Sequence, residues 1–273
     1  MDRKMLRWPG FRLRAVTLSY DDGTVTDRRL IETMDRYGLL GTFNLNSGLF
    51  PATSGGVRLT REEALALYGG SRHEVAVHGA RHLSLPTVPA SAATLDVIED
   101  RVALEAMFGT LIEGMAYAYG TYSDEVVEIL RGCGIRYART VTATCRFDLP
   151  TDWLRMPTTC HHKNPRLTEL VHNFLGAEEG PNSRPMLFYL WGHSSEFERD
   201  GNWEIIENFG ALIGGRENVF YATNGEIYRY VTAFDSLVFS ANGTVAHNPT
   251  ATDVYVFCFG KNTLIPAGAT VAL

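Results

Sequence analysis

The sequence predicts an α/β fold of parallel strands with crossover helices, followed by a small all-β appendage. Three observations predict it. Strand-like and helix-like segments alternate six or seven times between residues 13 and 232. Leu95, Ile98, Val102 and Met107 recur at helical spacing, whereas Met186 to Trp191 is an unbroken apolar run of strand length. After about residue 233 the helical pattern gives way to short strands with turn signals.

The elements follow in order. Leu13 to Tyr20 reads as a strand, and Asp27 to Tyr37 as a helix stopped by Gly38. Thr42 to Leu45 is a second strand. Thr60 at N-cap and Glu63 at N3 form a capping box that opens a helix to Tyr68. Glu74 to Val77 is a short strand, Ala92 to Phe108 a helix, and Gly114 to Tyr119 a strand. Ser123 caps a helix to Arg131 that Gly132 and Gly134 break. Ile135 to Arg139 and Met186 to Trp191 are strands, and Asn202 to Ile213 is a helix. Val219 to Ala222 ends the strand series, and Glu226 to Val231 is the last helix. Asn242-Gly243 then predicts a hairpin, because a tight hairpin turn needs positive φ. DVYVFCFG and TLIPAGATVAL predict two further strands. The domain division is therefore 1–232 and an appendage at 233–273.

The chain has 273 residues, 45% hydrophobic and 21% charged, which is globular composition. At that length folding buries roughly three quarters of the unfolded surface. A net charge of −6 argues against a nucleic-acid partner held by phosphate contacts. The longest apolar run falls far short of the about 20 residues of a membrane helix, so no membrane partner is expected. The basic start, MDRKMLRWPGFRLR, has no apolar stretch of signal-peptide length, and a cytoplasmic location is expected. Cys133, Cys145, Cys160 and Cys258 form no C-x-x-C pair and read as small buried hydrophobes.

The polar residues fall at strand ends. Asp21-Asp22-Gly23, His78 and His82, Tyr117 to Gly120, and His193 each follow a strand. In a parallel barrel the C-terminal ends of the strands carry the active site, so these four clusters would converge. His78 and His82 are four apart, which on a helical turn puts both imidazoles on one face, the spacing used to chelate a metal. Past the strand end, one of the two aspartates can bind a metal while the other faces water, a division that suits a metal hydrolase. Alone, Asp-Asp-Gly is a turn and His78 a core histidine. His193 follows an apolar strand and can act as an acid toward a leaving group.

SYDDG (Ser19 to Gly23), HGARH (His78 to His82), AYAYG (Ala116 to Gly120) and LWGH (Leu190 to His193), in this order, resemble the polysaccharide deacetylase family, metal-dependent deacetylases of chitin, chito-oligosaccharides and peptidoglycan. The resemblance spans about residues 13 to 232. It implies a distorted (β/α) barrel of about seven strands. It implies Asp22, His78 and His82 as ligands of a divalent metal, commonly zinc, with cobalt, nickel or manganese as alternatives. Asp21 would be the general base toward water, and the backbone N–H of Tyr119, with the metal, would stabilise the oxyanion. His193 would protonate the departing amine. The chain departs from the family where Ala116 stands in place of an arginine that orients the base, and Ala118 in place of a proline. The loss of that arginine removes a charge partner of Asp21. Asp152-Trp153 is the match to the family's Asp–Trp element, which supports the histidine.

The function expected is removal of an acetyl group from an N-acetylated sugar or related amide, with a small soluble substrate favoured. Hydrolysis of an O-acetyl ester or another C–N bond is the first alternative, and a carbohydrate-binding protein without turnover the second. Retention of Asp21 beside the ligand set favours catalysis. Association with further copies of the chain is left open. Cys160-His161-His162 reads as loop histidines near a polar cleft, with a second metal site as the alternative, because the spacing matches no known ligand pattern. Of Tyr117, Tyr119, Tyr122, Trp153, Trp191 and Trp203, one or two are expected to line the site.

Overall fold

The structure, a computed structural model, describes residues 4–180 and 182–273. Strand β1 (Met5–Arg7) precedes β2 (Arg14–Asp21), α1 (Asp27–Arg36) and β3 (Gly41–Leu45). Then come α2 (Arg61–Tyr68), β4 (Glu74–Val77), α3 (Ala90–Phe108), β5 (Gly114–Ala116), α4 (Asp124–Gly132) and β6 (Tyr137–Ala143). The chain continues through β7 (Met156–Thr158), β8 (Cys160–His161), α5 (Leu167–Gly176) and β9 (Met186–Gly192). Next are α6 (Ser194–Asp200), α7 (Glu204–Ile213), β10 (Val219–Tyr221) and α8 (Asn224–Asp235). The C-terminal strands are β11 (Val238–Phe239), β12 (Val245–His247), β13 (Val254–Cys258), β14 (Lys261–Ile265) and β15 (Thr270–Ala272).

The main sheet runs β7-β6-β5-β4-β3-β2-β9-β8, and every pairing in it is parallel. Its two ends, β7 and β8, are separated only by Thr159, whose N–H donates to Tyr189 O at 2.9 Å. The sheet therefore closes on itself as a seven-stranded barrel. The closing strand, residues 156–161, is absent from the sequence reading, which has a loop there. Val219–Tyr221, expected as the last strand of the series, pairs only with Arg14 to Val16 at the start of β2, below the point where β3 joins at Leu18.

Alternation along β2 shows how the barrel is filled. Val16, Leu18 and Tyr20 join the outer core beneath the helices. Thr17, Ser19 and Asp21 bond to Asn224 and Asn44, the latter donating to both Ser19 and Asp21. The floor is a second cluster in which Trp8, Tyr137, Met156, Leu187, Tyr189 and Ile227 pack together. The capped N-terminus of α8 enters this floor, and Asn224 donates to the Tyr189 hydroxyl at 2.6 Å. The interior above it is polar, so the strand ends carry side chains already held in hydrogen-bonded order.

The expected caps at Thr60, with Glu63, and at Ser123 are present. The hairpin of β11 and β12 turns at Gly243, where φ is +75°. The expected last strand is broken into β14 and β15 around Pro266 to Ala269. β13 and β14 take the N-terminal strand β1 as a third member, antiparallel from Met5 opposite Phe257. Tyr230 of α8 joins this layer to the barrel, donating to Arg7 O at 2.5 Å and accepting from Tyr255 N at 3.0 Å. Among the described residues no helix is long and apolar enough to cross a membrane.

Candidate active site

β2, β4 and β9 end side by side or one strand apart, and their last residues carry the site. Asp21, the final residue of β2, is buried. Asn44 donates to its Oδ1 at 2.8 Å, and Arg139 Nη2 lies 2.5 Å from both carboxylate oxygens. Arg139 comes from β6, is itself fully buried, and stacks its guanidinium 4.5 Å from the Trp191 ring centre. Burial alone would raise the Asp21 pKa. The charge of Arg139, with His78 and His193 behind it, outweighs burial and brings it down to about 2.

Asp22 turns away from its neighbour because its backbone is left-handed, at φ +83°. Its Oδ1 accepts from Arg58 Nη2 at 2.9 Å and lies 3.8 Å from His82 Nε2. The segment from His78 to His82 is not the helical turn its spacing predicts. Gly79 and His82 both have positive φ, +81° and +55°. The turn nonetheless brings the rings to a centroid separation of 4.7 Å. Helix α3 holds it: Asp100 accepts the His78 N–H at 3.0 Å and the Ser47 N–H at 2.7 Å, and Asp96 accepts the Arg81 N–H at 2.9 Å. A side chain at Gly79 would place its Cβ 2.5 Å from Asp96 Oδ2, so only glycine fits this turn.

Asp22, His78 and His82 each present a donor atom within 4.8 Å of the others. The fit to a metal is visible in His78. Its Nδ1 lies 2.8 Å from Ala116 O, which only a protonated Nδ1 can satisfy, and the Nε2 lone pair is left for an ion. Burial lowers the His78 pKa to about 4, keeping the ring neutral, as a ligand must be. Three protein donors with an open side is the arrangement of a catalytic zinc centre.

His193 opens α6. Its Nε2 is 3.8 Å from Asp21 Oδ2, the oxygen that also lies 3.9 Å from His78 Nε2. Asp21 thus sits between the candidate acid and the candidate ligands. Burial lowers the His193 pKa, but Glu196 and the two aspartates more than compensate and raise it above the usual histidine value. Tyr119 is 67% exposed, with φ +56°, and its ring stands 4.5 Å from His82. The strand expected to reach Tyr119 stops at Ala116, and this left-handed residue belongs to the turn that follows.

Three residues escape the sequence reading. Arg139 occupies the place beside Asp21 that Ala116 leaves empty. Arg58 pairs with Asp22. Glu196, three residues after His193, faces it at 3.7 Å and also meets His161 and His162. Asp152 and Trp153 do not support His193: Asp152 caps Leu154 and pairs with Arg155, and Trp153 packs on Tyr228. Of the six aromatics, Tyr119 and Trp191 border the cluster. Tyr117 and Trp203 are buried in the outer core.

Residues 11–138 match the model of the polysaccharide deacetylase family. The matched range contains Asp21, Asp22, His78, His82 and Tyr119 and ends one residue before Arg139. Among solved structures, a Mycobacterium smegmatis protein named as a putative polysaccharide deacetylase superposes with a TM-score of 0.63 at 17% identity, over 86% of this chain and 96% of that one. A family 4 carbohydrate esterase from Streptomyces lividans, in complex with acetate, gives 0.52 at 13% identity, over 77% and 93%. A mutant of a Bacillus anthracis pseudoenzyme of that family, with restored enzymatic activity, gives 0.52 at 15% identity, over 79% and 67%. The chain spans only 55% of a deacetylase from Streptococcus pyogenes and 44% of one from Bacillus cereus. No curated protein matches the chain in sequence. At these identities the structures establish a shared fold.

Proposed function

We propose that this chain, whose residues 11–138 carry the polysaccharide deacetylase family pattern, is a metal-dependent hydrolase that removes an acetyl group from an N-acetylated sugar or a related amide. The family pattern supports a hydrolase acting on acetyl groups. The observation that carries the finer reading is the convergence of Asp22, His78 and His82 beside a buried Asp21 held ionised by Arg139. Zinc suits this donor set best, with cobalt, nickel or manganese as alternatives. When bound, such an ion supplies Lewis-acid polarisation of the acetyl carbonyl and lowers the pKa of water.

The chain's own residues do the rest. Asp21 takes the proton of the attacking water, because Arg139 keeps its carboxylate charged in a buried place. His193, its pKa raised by Glu196 and the two aspartates against the effect of burial, gives its Nε2 proton to the departing amine. The backbone N–H of Tyr119, in the left-handed turn after β5, donates to the oxyanion of the tetrahedral state in this reading. Its exposed ring, over His82, forms one wall for the acyl group or the sugar.

The test is acetate release by the zinc-loaded chain from N-acetylated chito-oligosaccharides and from O-acetylated sugars. Acetate is expected from the amide. Asp21→Asn is expected to keep its metal and lose about 10²- to 10⁴-fold in rate. An unchanged rate in that variant removes Asp21 from the base role. Acetate from the ester alone replaces the amide reading, and none from either leaves a sugar-binding protein.

A further inference from the structure

We propose that His161, His162 and Glu196 form a second divalent-cation site, of the nitrogen-rich kind that takes zinc, directly behind His193. It shares no residue with Asp22, His78 and His82, and it stands whether or not the deacetylase reading does.

The side chains come from the barrel's closing strand, the turn after it, and α6. His161 Nε2 and His162 Nε2 each lie 3.1 Å from Glu196 Oε2. Around a tetrahedral zinc, bonds of about 2.0–2.2 Å put neighbouring ligand atoms about 3.3 Å apart, close to that spacing. Hydrogen bonding to the Glu196 carboxylate accounts for the cluster only in part. Both ring nitrogens of His162 and the Glu196 Oε2 atom are buried without a hydrogen-bond partner among the described residues. The donor atoms of His161, His162 and Glu196 lie within 4.8 Å of one another, a spacing that one ion can bridge. Buried polar atoms left unmet are costly, and a cation satisfies two of them together, His162 Nε2 and Glu196 Oε2, while His162 Nδ1 keeps the ring proton.

The surroundings fix the ligands. His162 is 1% exposed, and its ring packs on Phe197, at 4.1 Å, and on Tyr20, at 5.8 Å, within one cluster of three rings. Gly192 passes its edge so closely that a Cβ there would sit 2.0 Å from His162 Nδ1. The ring cannot turn, and its Nε2 edge faces Glu196. Lys163 lies 3.2 Å from the other carboxylate oxygen, Oε1, and is shared with Asp200 at 2.5 Å, which leaves Oε2 for the ion. His193 Nδ1, 3.7 Å from Oε2, borders the same point. His161 Nδ1 accepts the Lys163 N–H at 3.1 Å, so ligation by His161 moves its ring proton from Nε2 to Nδ1 and breaks that bond. His162 and Glu196 are accordingly the anchoring pair. A cation here ties the closing strand to the helix that begins at His193.

The experiment is zinc stoichiometry and affinity on the full chain, stripped with chelator and reloaded, by elemental analysis and calorimetry. The wild type, Asp22→Ala, Glu196→Gln and His162→Ala are compared, with circular dichroism to verify folding. Glu196 is partly exposed, so Glu196→Gln keeps the test valid if the buried His162 variant misfolds. The wild type is expected to bind about two zinc ions, and each folded variant about one. One ion in the wild type, lost in Asp22→Ala and kept in Glu196→Gln, overturns the second site and leaves the first standing. One ion lost in Glu196→Gln and kept in Asp22→Ala supports the second site while the deacetylase centre fails.

Discussion

Arg139 lays one guanidinium nitrogen 2.5 Å from both carboxylate oxygens of Asp21, and both side chains are buried. The charge partner that Ala116 cannot supply on β5 arrives from β6, the next strand of the barrel. Alternate residues of a barrel strand point inward, so neighbouring strands offer equivalent routes to one interior point. Breaking a buried pair by removing one partner leaves an uncompensated charge, a loss of about 3–5 kcal/mol. Arg139→Met is therefore expected to lower thermal stability and raise the Asp21 pKa toward its desolvated value. Metal content should persist while kcat falls by about 10²-fold or more. A variant with wild-type kcat would show that Asp21 needs no cationic neighbour.

The pH profile should separate the base from the acid. Asp21 remains ionised down to about pH 2, so it does not set the acid limb of kcat/KM. His193 is raised above the ordinary histidine value, and its protonated form, the one that can donate, persists to higher pH. With no cation on Glu196, the alkaline limb is expected above pH 6.5, and His193→Asn should abolish it along with most of kcat. An alkaline limb that survives in His193→Asn assigns the proton donor elsewhere.

Much of this site was legible in the sequence because strand ends are marked by local patterns. SYDDG, HGARH and WGH each follow an apolar run, and the barrel converts sequence-distant strand ends into neighbours. What was not legible depends on contacts without local signature. The closing strand, residues 156–161, is short, contains Pro157 and two histidines, and is strand-like only because β6 and β9 flank it. Arg139 lies inside a strand where charge looks like a solvated face; only the barrel's curvature turns it inward. His78 and His82 were brought together as their spacing suggests, but through two left-handed residues instead of a helical turn.

Asp100 tests whether the ligand loop is preset. It accepts the backbone N–H groups of His78 and Ser47 from α3, pinning the turn that carries two of the three candidate ligands. Outer partners of metal ligands commonly contribute 10- to 100-fold in affinity. Asp100→Ala is expected to weaken zinc binding at this centre by about that factor, read by competition with a chelator. Unchanged affinity would mean that Gly79 and the Ala116 carbonyl suffice to set the rings.

Asp27 makes stability depend on pH in the opposite sense from Asp21. It opens α1 fully buried, accepting from the Tyr68 hydroxyl at 2.6 Å, the Thr24 N–H at 3.2 Å and the Ser194 hydroxyl. Burial raises its pKa, these hydrogen bonds hold it back only in part, and it rests at about 7. The folded chain thus binds this proton more tightly than the unfolded chain does, so stability declines as pH rises from about 4 to about 7. The three-unit shift sets an upper bound of about 4 kcal/mol on that decline. Asp21, lowered to about 2, contributes stability that is lost only as pH falls below about 4, so the two effects occupy separate windows. Denaturant midpoints measured in chelator should fall between pH 5 and pH 8 in the wild type and fall less in Asp27→Asn. Parallel declines in both proteins would place the titrating group elsewhere.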